Sequence, residues 1–78
     1  MSIDYEKNLA LFSDVVSVEE AEALLEWLQN KSAARVDLSS CNHLHPANLQ
    51  VLMAAKPIIN AWPTDIRFAN WLKSALEI

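Results

Sequence analysis

The stretch from Arg35 to Ala55, RVDLSSCNHLHPANLQVLMAA, sets the terms for the whole chain. It begins in a short apolar strand, Ala34-Arg35-Val36-Asp37-Leu38, after which the residues predict a polar loop from Ser39 to Asn42. A helix follows, its start marked by Pro46, because proline in a first helical turn gives up only an N–H that has no intrahelical partner. Leu49, Leu52 and Met53 recur at helical spacing, and Val51, Ala54 and Ala55 widen the same apolar stripe. A buried strand feeding a helix through a tight polar connection is half of an α/β unit. Folds of that kind meet ligands and partners at the carboxyl ends of their strands, so the loop Ser39–His45 is the first place to expect a site.

The flanking sequence alternates in the same way. Ile3 and Tyr5 fit a short edge strand, and Leu9-Ala10-Leu11-Phe12 fits a second. Ser13-Asp14 predicts a turn, since both side chains can fold back onto their own backbone, and Val15-Val16 is β-branched and extended. Ser17-Val18-Glu19-Glu20 has the form of a capping box opening a helix, with Ala21, Leu24, Leu25 and Leu28 as its buried stripe. Asn30 is the expected left-handed residue at its end, and Trp27 lies at the rim of the stripe. Beyond Pro57, Ile58-Ile59 reads as a strand leading out through Asn60-Ala61-Trp62. Thr64 is the expected cap of a last helix. Phe68, Ala69, Leu72, Ala75 and Leu76 form that helix's inner face, Arg67, Asn70, Ser74 and Glu77 point to water, and Trp71 sits beside the stripe. The order β(β)αβαβα predicts an α/β fold over residues 1–78 as a single domain. Its centre would be a mixed sheet of three or four short strands, with about three helices covering one face.

Composition narrows the function. Seventy-eight residues, 53% of them hydrophobic, are enough for one small core. The single cysteine, Cys41, rules out an intrachain disulfide; with neither a signal-peptide pattern nor an apolar run of bilayer length, a cytoplasmic protein is expected. A net charge of −4 with scattered basic residues disfavours nucleic acid, which needs a clustered Lys/Arg face. Glycine is absent, so the Gly-rich loops that cradle nucleotide phosphates cannot form, and no cofactor is expected.

Val36-Asp37-Leu38-Ser39, followed at the right interval by Leu49-Gln50-Val51-Leu52, resembles the STAS domain, the family of anti-sigma factor antagonists and of the cytoplasmic tails of sulfate transporters. In that family a V-D-L-S strand leads to D-S-S/T-G-L-x-V-L at a helix start. Phe12 to Ala21 is similar to its upstream strand and helix onset, so the resemblance covers most of the chain. The regulated members phosphorylate a serine at that helix start, where free N–H groups and the dipole accept the anion. Here the matching positions are His45, Pro46, Ala47 and Asn48, with no hydroxyl among them, while Ser39 and Ser40 match no family phosphosite. The resemblance therefore implies the fold and a docking corner without the phospho-switch. It implies a non-catalytic bacterial adaptor or subunit in a regulatory, chemotaxis or transport complex, contacting an anti-sigma-like, kinase-like or transporter partner through Ser39, Ser40, His45, Pro46, Ala47 and Asn48.

Rival readings use the same residues. Cys41-Asn42-His43-Leu44-His45 carries zinc-type ligands, but three fall short of a structural site unless Asp37 or a second chain completes it. A small-ligand or metal-binding protein using the Ser39–His45 loop is thus the alternative function. Cys41 and His43 stand too close in sequence for attack geometry and lack an orienting acid, so no enzyme is expected. Glu19, Glu20, Glu22 and Glu26 read as a solvated helix face. Trp27, Trp62 and Trp71 fall off the centres of their stripes; one of them, near Met53 or Phe68, is expected to build a patch for a partner or a second copy.

Overall fold

The computed structural model describes residues 2–77. Along the chain come β1 (Ile3–Tyr5), β2 (Leu9–Val16), a 3-10 turn (Val18–Glu20), α1 (Ala21–Gln29), β3 (Arg35–Leu44), α2 (Pro46–Ala55), β4 (Ile58–Ala61) and α3 (Ile66–Leu76). This is the small α/β fold the alternation predicts. The four strands lie side by side in chain order, with β1 antiparallel to β2 and both β2–β3 and β3–β4 parallel. Parallel crossovers are right-handed, and here each steps in the same direction, so the helices collect on one face. There α1 packs on α2, and α2 on α3.

Alternation along the strands then sorts the side chains. Ile3, Ala10, Phe12, Val16, Val36, Leu38 and Leu44 point under the helices and meet Leu24, Leu28, Leu49, Leu52 and Leu72 from above. Each such large apolar side chain, fully buried, contributes about 1.5–3 kcal/mol. Asp4, Leu11, Asp37 and Ala61 occupy one cross-strand row on the other, bare face.

The structure corrects several local expectations. Ser13-Asp14 makes no turn, because β2 runs unbroken through it; Asp14 takes a left-handed φ of 52° instead and kinks the strand. The loop expected at Ser39–Asn42 is also strand. The β2–β3 register jumps from Leu11↔Asp37 to Ser13↔Ser40 and again from Asp14↔Cys41 to Val15↔His43. Each jump places an extra residue on β3, so its inward residues are Val36, Leu38, Cys41 and Leu44, and the two-residue period that marks a strand is lost.

Helix ends differ too. The Ser17 hydroxyl caps nothing, and the buried Glu20 carboxylate accepts from Ile3 N–H at 3.2 Å, so neither half of the capping box forms. Asn30 is not left-handed; Lys56 and Glu77 are, closing α2 and α3. Asp65, not Thr64, caps α3, its Oδ1 accepting from Arg67 and Phe68 N–H. On α2, Leu49 and Leu52 are buried, whereas Met53, Ala54 and Ala55 are exposed.

Candidate functional site

The carboxyl ends of β2 and β3 meet the start of α2 at one corner of the sheet, and hydrogen bonds fix that corner. His45 N–H donates to the Val16 carbonyl at 2.9 Å, which carries the β2–β3 ladder to the residue before the helix. His45 is the N-cap of α2: its Nδ1 accepts from Ala47 N–H at 3.0 Å, and Pro46 takes the first helical position. The side chain assigned by resemblance to partner contact is therefore half-buried and engaged in capping.

Asn48 lies still deeper. It is 0% exposed, and its Nδ2 donates to the carbonyls of Val16 at 3.3 Å and Ser17 at 2.7 Å. Two carbonyls can only accept, so the amide orientation is forced. Its Oδ1 has no partner among the described residues. Asn48, expected among the contact residues, thus has no exposed surface to offer; its side chain is spent on tying β2 to α2. Ala47 is half-buried beside it.

Ser39 is likewise engaged. Asp37 Oδ1 accepts from Ser39 N–H at 2.9 Å and from Ser39 Oγ–H at 2.6 Å. The V-D-L-S motif thus has a local meaning: the aspartate holds the serine at the first bulge of β3. Ser40 and Pro46 are exposed. Of the six expected contact residues, these two are freely presented.

What the sequence reading missed is apolar. Val15 is 54% exposed and Val18 is 52% exposed, on either side of the β2 terminus. Val15 pairs with His43 across the ladder, and His43 is exposed as well. The signal was present in Val15-Val16-Ser17-Val18, three β-branched residues of which only Val16 has a place inward. Asp14, Glu19 and Glu22, their acidic neighbours along the chain, are exposed as well, so the corner presents apolar side chains on an acidic stretch.

The Cys-x-His-x-His cluster is dispersed by its own backbone. Cys41 is buried with Sγ donating to the His43 carbonyl at 3.4 Å, His43 faces out, and the His45 ring is held against Ala47 N–H. Among the described residues no group of three or more His, Cys, Asp and Glu is placed to hold a metal ion. Burial, with the nearby negative charge of Asp14 adding to it, pushes the Cys41 thiol up to about 11, the opposite of what a nucleophile requires. Among the described residues no helix is long and apolar enough to cross a membrane. Compared with known protein families and with curated proteins, the chain matches none of them.

Proposed function

We propose that this chain is a non-catalytic protein-interaction module of STAS-like architecture, an adaptor or subunit that docks a partner protein at the corner formed by β2, β3 and α2. The carrying observation is the pair Val15 and Val18, half exposed on a backbone that His45 and Asn48 hold rigid. Apolar side chains presented on a fixed frame lose little conformational entropy on binding, which is what a docking surface needs. Supporting the likeness to STAS domains are the sequential strand order with one antiparallel edge, and a helix starting at the matching stretch. The acidic stretch favours a partner segment with apolar residues flanked by Lys or Arg. The corner offers no hydroxyl at the two serine-equivalent positions, so the phospho-switch of the regulated STAS members does not carry over to it.

The test is site-specific. A photo-crosslinking residue at His43, introduced in cells of the source organism, is expected to trap one protein that the same residue at Lys7 does not trap. Titration of that purified partner should then show binding at least ~10-fold weaker for Val15→Asp/Val18→Asp, with the melting curve of the free domain unchanged. Equal trapping at both positions, or unchanged affinity in the double variant, rejects the corner as the docking site.

A further inference from the structure

A second surface lies away from that corner. The carboxyl ends of α2 and α3 diverge over the start of β4 and leave an open groove of about 340 Å³. Ile59, on the core-facing side of β4, and Leu52 line it from the sheet side; Met53 from α2 and Ala75 and Leu76 from α3 supply apolar walls. Met53 is 45% exposed. Trp71, one helical turn before Ala75 and on the same flank, extends the apolar surface and stacks on Phe68 with ring centroids 6.2 Å apart. The rim carries Lys56 on the α2 side and Glu77 on the α3 side. Both are left-handed helix caps, so the backbone sets where each side chain departs.

From this geometry we infer that the α2–α3 groove is the interface of a two-fold homodimer. The charges select the occupant. A partner of one charge sign would be attracted to one wall and repelled by the other, whereas a second copy escapes that conflict. A two-fold axis running along the groove lays each α2 wall over the other copy's α3 wall. Lys56 then faces Glu77 of the partner subunit, and the reverse contact follows by symmetry. The rest of the molecule disfavours self-association: residues 1–45 hold eight acidic and three basic side chains, residues 46–78 two acidic and three basic, a net of −5 against +1. Only the groove half can meet its own image without strong repulsion. The groove and its flank are small for an obligate interface, so the dimer is weak, with a dissociation constant in the range of roughly 10 μM to 1 mM.

Sedimentation velocity of the full chain at low salt, from about 5 μM to 1 mM, is expected to show the mass rising from 8.8 kDa toward twice that value. Lys56→Glu or Glu77→Lys alone turns both symmetric pairs repulsive and should weaken dimerisation by at least ~10-fold. The double exchange Lys56→Glu/Glu77→Lys, which restores opposite signs and keeps both residues present, should recover it. Ile58→Lys, on the exposed edge strand outside the groove, should leave it unchanged. A monomer throughout the range, an unrecovered double exchange, or a dimer abolished by Ile58→Lys but indifferent to Lys56→Glu overturns the assignment.

Discussion

Asn48 shows how much one side chain can change a functional reading. A polar residue at a helix start, in a stretch resembling a docking motif, looks like a contact; its two donated bonds make it a strut. Replacing it with alanine removes two hydrogen bonds and leaves a void at a fully buried position, although both carbonyls keep a backbone donor, so Asn48→Ala should lower unfolding free energy in urea by about 2 kcal/mol, while His43→Ala stays within ~0.5 kcal/mol. Nothing in the sequence distinguishes these two residues, because the partners of Asn48 lie 31 and 32 positions upstream. Cys41 carries a pH signature. Its thiol is raised from an ordinary value of 9.0 to about 11 in the fold. The folded chain keeps the proton that the unfolded chain releases, so the associated stability is intact below pH 9 and is lost as pH climbs toward 11. Tyr5 adds in the same direction, raised first by burial and then by the negative charge of Glu20. Urea midpoints measured between those limits should fall more for the wild type than for Cys41→Ala, and the remaining slope should shrink again in Tyr5→Phe.

At the scale of elements, the sequence declared most of what burial controls and little of what the backbone does at its joints. The order of strands and helices, Pro46 at the head of α2 and the inner residues Ala69 and Leu72 of α3 could all be read from periodicity. The length of β3 could not. Its two bulges space the inward residues Leu38, Cys41 and Leu44 three apart, a rhythm that belongs to neither strand nor helix, so polar Ser39, Ser40 and Asn42 passed for a loop. Helix ends were obscured by competition among adjacent candidates. Thr64 and Asp65 are both good caps, and tertiary placement selected the second. Asp65→Ala should therefore cost about 1 kcal/mol in urea unfolding and Thr64→Ala less than ~0.5 kcal/mol. The missing glycines leave their own trace. Lys56 holds φ 51° with a full side chain, and Lys56→Gly should raise stability by up to ~1 kcal/mol at concentrations too low for self-association.

For the whole molecule, strand order and chain order coincide, and that governs assembly. Each described strand pairs with the one made before it, β1 with β2 across three residues and the two parallel pairs across a connection that holds one α-helix. Loop-closure costs stay small, so refolding followed by tryptophan fluorescence should be complete within about a second, in the range of mixed α/β two-state domains. The two margins of the sheet are unlike. At β1, Ser13 N–H bonds the Ser2 carbonyl, Ile3 N–H turns outward, and the Glu20 carboxylate takes it. At β4, Ile58 bonds back to Ala34, which leaves Ile59 to present its main chain outward. One margin has its leading N–H taken by a carboxylate and the other leaves Ile59 open, so this architecture has a favoured direction of growth. A further helix-and-strand repeat appended after α3 could join the sheet without disturbing a single existing pair, whereas one added ahead of β1 would first have to displace a carboxylate.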